Sequence, residues 1–142
     1  MPVQFPPYGP RKVRAVKKEQ KLYLWDWSII PEAGPKFENF IASHLLKYCH
    51  FVEDTQGFKM DLRFLRDTDK READFVVLKD NKPLFAVECK TGEKNINPAL
   101  FYFMERTQIP KFYQVHVRER DYEKKGVRVL PVHKFIKQLS LP

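Results

Sequence analysis

Residues 72–90 read Glu72–Leu78 (EADFVVL), Lys79–Pro83 (KDNKP) and Leu84–Lys90 (LFAVECK). Two runs of β-branched, aromatic and aliphatic residues flank a cluster of turn formers, which predicts a β-hairpin. The second run is apolar almost throughout, so its strand is expected to be buried on both faces and central in a sheet. Period 2 places Glu88 and Lys90 on one face with Leu84 and Ala86, while Phe85, Val87 and Cys89 point the other way. Asp74 interrupts the first run directly before Phe75-Val76-Val77. With the turn centred on Asn81, Asp74 falls opposite Glu88, and a slip of one residue would put it on the other face.

Working outward, Met60, Leu62 and Phe64 alternate with Asp61 and Arg63, the pattern of a preceding strand. Asp67–Arg71 (DTDKR) is a turn cluster. Upstream, Gly34-Pro35 is followed by a pattern of period 3.6. On a helical wheel Phe37, Phe40, Ile41, His44 and Tyr48 share one side, and Glu38 lies about 100° round, on the rim of the buried face. A carboxylate there needs a partner or a job. Of the four histidines, His44 is expected as a packing residue.

Downstream, Asn97-Pro98 is a helix start, with Asn as the cap and Pro at the first helical position, and Pro110 ends that helix. Strands are expected at Phe112–Val117 and Val127–Leu130, separated by a charged loop, Arg118–Lys125, and a last short helix over Pro131–Leu139. The order helix, three strands, helix, strand, strand, helix predicts an α/β fold, a mixed sheet flanked by helices. Lys21–Asp26 (KLYLWD) reads as a further short strand.

Residues 1–20 read as a Pro-rich basic arm, in which Pro2, Pro6, Pro7, Gly9 and Pro10 are expected to forbid regular structure. Residues 21–142 are expected to form one domain. The chain has 142 residues, 43% hydrophobic and 14% aromatic with 12 Phe, enough for one core. Its net charge is +8. Arg11, Lys12, Arg14, Lys17, Lys18 and Lys21 stand against Glu19 alone in the first 22 residues. Such an arm suits phosphates of a nucleic acid, or simply a solvated segment.

Several classes of function are excluded. No apolar run approaches the roughly 20 residues of a membrane helix, and MPVQFPPYGPRKVR offers no apolar stretch of a secretory signal. With Cys49 and Cys89 alone, a disulfide framework is not expected, and a reducing cytoplasm is the expected location. None of the five glycines precedes Lys-Ser or Lys-Thr, so there is no phosphate loop. The cysteine and histidine spacings suit no zinc site, and no Gly-x-Ser-x-Gly elbow occurs.

Carboxylate chemistry remains. The tripeptide acid-x-Lys occurs four times, but Glu88-x-Lys90 alone ends an apolar strand. Facing carboxylates such as Asp74 and Glu88 repel unless a cation lies between them. Oxygen ligands without imidazole or thiolate suit Mg²⁺ or Mn²⁺. Lys90, on the same face, would then orient a water or stabilise charge developing on a phosphate. An ion pair between Glu88 and Lys90 at the sheet edge, without chemistry, is the other reading.

Glu38 on an early helix, Asp74 in a second strand and Glu88-Cys89-Lys90 in a third resemble the PD-(D/E)XK nuclease superfamily. Ala73 stands where the superfamily's name places Pro. The strings KLYLWD, FENFIASHLL, LRFLRDTDKREADFVV and FAVECKTG, spanning roughly Lys21 to Gln138, are similar to a domain of unknown function at the C-terminus of bacterial and archaeal AAA-type ATPases. The resemblance implies a restriction-endonuclease-like α-β-β-β-α-β core. It implies Glu38, Asp74 and Glu88 as acidic ligands of Mg²⁺ or Mn²⁺, and Lys90 as the catalytic lysine. It also implies DNA as substrate and an AAA-type ATPase as a partner. The competing expectation is a non-catalytic module that docks nucleic acid or protein.

Overall fold

The central hairpin turns on Asp80 and Asn81, whose φ angles of 50° and 67° are both left-handed. This is the geometry of a two-residue primed turn, which Asp and Asn tolerate. The computed structural model describes residues 2–10, 21–24, 33–92 and 94–139. Along the chain the elements are β1 (Pro2–Phe5), β2 (Lys21–Leu24), α1 (Ala33–Gln56), β3 (Met60–Arg66), β4 (Glu72–Lys79), β5 (Lys82–Cys89), α2 (Pro98–Arg106), β6 (Phe112–His116), β7 (Tyr122–Lys124), β8 (Val127–Pro131) and α3 (Val132–Gln138).

Six strands form one mixed sheet in the order β3-β4-β5-β6-β8-β7. The β3–β4 and β4–β5 pairs are antiparallel. β5, β6 and β8 run parallel, because α2 carries the chain across one face between β5 and β6. β5 has a strand on each side, as its apolar sequence predicts. Phe75, Val77, Phe85 and Val87 pack on one face with Ile41 and Leu45 of α1 and Phe135 of α3. Val76, Leu78 and Ala86 pack on the other face with Leu100 and Phe103 of α2. The fold is therefore mixed α/β, with helices over both faces of the sheet.

The hairpin register comes from two features. The turn pairs Lys79 with Lys82 and Leu78 with Pro83; the ladder then shifts, and Val77 pairs with Phe85, Val76 with Ala86 and Phe75 with Val87. Leu84 is the extra residue of a bulge. The turn is thus centred between Asp80 and Asn81, not on Asn81, and the bulge supplies the missing step. Continued by one residue, this register sets Asp74 opposite Glu88. A regular hairpin on the same turn would put their side chains on opposite faces. The bulge also corrects the expected face of Leu84, which packs with Phe85 rather than with Ala86. On the other edge of β4, Arg63 pairs with Val76 and Leu65 with Ala73. Asp74 and Phe75 therefore stand against Phe64 alone.

Two further expectations are corrected. The prolines at the start do not forbid regular structure: Pro2–Phe5 pairs antiparallel with Lys21–Leu24, and Phe5 is a core residue, 5% exposed. Tyr8 N–H donates to the Phe64 carbonyl at 2.7 Å, so this segment lies along β3. Proline is compatible with an edge strand because only some N–H groups face the ladder. Of KLYLWD, Lys21–Leu24 is strand, and Trp25 and Asp26 lie outside the described residues. Within the charged stretch 118–125, Tyr122–Lys124 pairs with β8 through a turn at Lys125 and Gly126, with φ of 51° and 89°. Its charges mask a strand because an edge strand faces water. His44 packs, as expected, with its ring centroid 4.4 Å from that of Phe40; it is half-buried, and its Nδ1 lies 3.0 Å from the Phe40 carbonyl oxygen.

Candidate functional site

Asn97 ends the β5–α2 connection in extended backbone, and its side-chain oxygen accepts the Ala99 N–H at 3.0 Å. The cap expected from Asn97-Pro98 therefore forms, and it starts α2 beside the end of β5. Here β4, β5, α1 and α2 border a cleft of about 760 Å³ lined by Glu38, Glu72, Asp74, Glu88, Lys90 and Asn97. Glu38, Asp74, Glu88 and Lys90, singled out in the sequence, thus share one cleft.

Each arrives by a separate local cause. Glu38 is half-buried beside buried Phe37, on the rim position its helical pattern predicts. Asp74 is held by the backbone of the next strand, its Oδ2 accepting the Cys89 N–H at 2.9 Å. Glu88 is 4% exposed. Its Oε2 accepts a hydrogen bond from Asn97 Nδ2 and lies 3.5 Å from the Lys90 ammonium. Its Oε1 is buried with no hydrogen-bond partner among the described residues. Lys90 is 34% exposed, so its stem can lie along the strand end while the ammonium reaches the cleft.

Among the described residues, the carboxylates that gather as a group of three are Glu38, Glu72 and Asp74, whose oxygens lie within 4.8 Å of one another. Glu72 is not among the residues singled out in the sequence. Its signal is the two-residue spacing Glu72-x-Asp74 on one strand, which a charged strand start obscures. Glu72 also binds Arg66, whose Nε and guanidinium NH₂ group reach its Oε2 at 3.3 and 3.2 Å. Glu88 lines the same cleft but is not one of the three.

The same cleft has basic lining too, Lys70, Arg71 and Lys94. Arg71 is fixed from both sides. Asp67 accepts its guanidinium at 2.7 Å, and its guanidinium carbon lies 3.8 Å from the centre of the Tyr102 ring, which Arg106 also covers at 3.9 Å. Burial pushes the Asp67 carboxyl up, but hydrogen bonds from the Arg71 side chain and from the N–H groups of Arg71 and Asp69 outweigh it and hold it below its usual value. Thiol chemistry has no support at Cys49, which burial pushes up to about 12.

Of the residues expected to contact nucleic acid, Arg11, Lys12, Arg14, Lys17 and Lys18 lie outside the described residues. Lys21 belongs to β2 by its backbone, and its side chain lies outside them too. Among the described residues, no helix is long and apolar enough to cross a membrane.

The family described as a domain of unknown function (DUF4143) matches residues 33–135. No curated protein and no solved structure matches the chain.

Proposed function

The chain belongs to the DUF4143 family, a domain of unknown function, and on that premise we propose that it is a divalent-metal-dependent nuclease that hydrolyses DNA phosphodiester bonds. The observation that carries this reading is the gathering of Glu38, Glu72, Asp74, Glu88 and Lys90 in one cleft from three elements. The donor set supports a hard cation, Mg²⁺ or Mn²⁺, since it is made of carboxylate oxygens without imidazole or thiolate. The buried Oε1 of Glu88, without a hydrogen-bond partner among the described residues, supports it as well, because such an oxygen is costly unless something binds it. Asp74 and Glu38 would hold the cation with Glu72 or Glu88. When bound, it lowers the pKa of a water and neutralises charge on the scissile phosphate.

The chain's own residues supply the remainder. Lys90 places a positive charge beside Glu88, where charge develops on the phosphate. Arg71, pre-set by Asp67 and Tyr102, offers a guanidinium to a flanking phosphate at little ordering cost. The basic residues of the first 22 would bind backbone phosphates without reading sequence. A cytoplasmic location and association with an AAA-type ATPase belong to the same proposal; Cys49 and Cys89, both free thiols, fit the former.

The test is a titration of the full chain with Mg²⁺ and Mn²⁺, followed by incubation with supercoiled, linear and single-stranded DNA. Metal-dependent nicking that is lost in Asp74→Asn supports the nuclease. Absence of cleavage on all three substrates overturns it in favour of the docking module.

A further inference from the structure

Resting on the metal-centre reading, we propose that Asn97 is a positioning residue that selects which oxygen of Glu88 is offered to the cation. Its amide cannot turn freely. The Oδ1 atom is committed to the Ala99 N–H at 3.0 Å as the cap of α2, so Nδ2 must point away from the helix, where it donates to Glu88 Oε2 and, more distantly at 3.5 Å, to the Glu72 carbonyl. The backbone of Asn97 is held equally firmly. Its N–H donates to Gln114 Oε1 at 2.9 Å, and Gln114, 1% exposed, spends its amide hydrogens on the carbonyls of Lys94 and Asn95 at 3.4 and 3.2 Å.

A buried glutamine on β6 therefore holds residues 94–97, that segment starts α2, and the cap of α2 holds Glu88. With Oε2 occupied by Asn97 and the Lys90 ammonium, Oε1 is the oxygen left for a ligand. Outer partners of this kind orient metal-binding carboxylates and raise affinity without touching the ion. The helix cap alone would require only Oδ1, so the hydrogen bond to Glu88 separates a positioning role from a merely structural one.

Serine caps a helix as well as asparagine does but is too short to reach Glu88 or the Glu72 carbonyl, so Asn97→Ser keeps the cap, and a Glu88→Gln background separates a loss through Glu88 from a loss through Glu72. Mn²⁺ binding to the full chain, followed by electron paramagnetic resonance, is compared with thermal unfolding in chelator. The proposal expects Asn97→Ser to unfold close to the wild type and to bind Mn²⁺ about 10–100-fold more weakly. In a Glu88→Gln background the same substitution should cause little further loss, as for residues acting through one another. Unchanged Mn²⁺ affinity in Asn97→Ser, a large fall in its unfolding temperature, or an equal loss with and without Glu88 would each overturn it. Wild-type protein that binds no Mn²⁺ would sink the metal centre itself, a failure visible before any variant is made.

Discussion

Asp74 and Lys90 lie at adjacent strand ends yet should fail in different ways. Asp74→Asn keeps an oxygen that can accept the Cys89 N–H, now at 2.9 Å, so the fold should survive. A neutral amide does not replace the carboxylate, and Mn²⁺ affinity should fall by more than the roughly 10–100-fold that removal of an outer partner costs. Lys90→Ala removes a charge 3.5 Å from Glu88 and no metal ligand. Nicking rates should drop about 10²–10³-fold, with Mn²⁺ affinity within about twofold; equal losses of binding and rate would mean that Lys90 only shapes the site. Asp67 tests the basic lining of the cleft. Asp67 is 3% exposed, and Asp67→Asn should cost about 1–3 kcal/mol in urea unfolding at neutral pH. Its folded pKa is lowered, so its stabilisation is complete above the unfolded value of about 3.9 and is lost as pH falls through the folded one. The gap between wild type and Asp67→Asn should therefore narrow below about pH 4.

At the scale of elements, two hairpins show how turn geometry positions residues far from the turn. In the β4–β5 hairpin, a two-residue turn and the bulge at Leu84 together set the register of Phe75 with Val87, which, carried one residue further, puts Asp74 opposite Glu88. The β7–β8 hairpin has the same kind of turn with a less suitable residue, since Lys125 holds φ at 51°. Lys125→Asn should raise stability by up to about 1 kcal/mol, because Asn tolerates the left-handed region better. Gly126→Ala should lower it by about 1–2 kcal/mol: φ is 89°, and a Cβ would stand 3.1 Å from Met104 Sδ on α2. Urea midpoints of the two variants on either side of the wild type would check both; a stabilised Gly126→Ala would contradict the turn geometry.

Across the whole molecule, the basic N-terminal stretch cannot be tested by cutting it off. Phe5 is in the core and Tyr8 is bonded to β3, so deleting residues 1–22 would remove structure along with charge. Replacing Arg11, Lys12, Arg14, Lys17 and Lys18 by Gln leaves Phe5 and Tyr8 in place. If these basic side chains meet DNA phosphates, affinity should fall, and the plot of log K against log salt should flatten. Its slope should change by about 0.9 for each duplex phosphate that is no longer neutralised. An unchanged slope would show that the arm's charge serves only its own hydration.

Much of the architecture was legible in the sequence because it is set by local chemistry. Alternation in LFAVECK, the Asn97-Pro98 cap and the Gly34-Pro35 helix start each depend on neighbours a few residues away. The sharing of one cleft by Glu38, Asp74, Glu88 and Lys90 could be anticipated from the same alternation and from the family resemblance. Four features could not: the bulge at Leu84, the pairing of β1 with β2, the convergence of Glu72 with Glu38, and the hydrogen bond of Asn97 to Glu88. Each depends on which segments meet in space. A bulge leaves no mark in a period-2 pattern, and a side chain's second partner is chosen by the packing of α2 and β6 against β5.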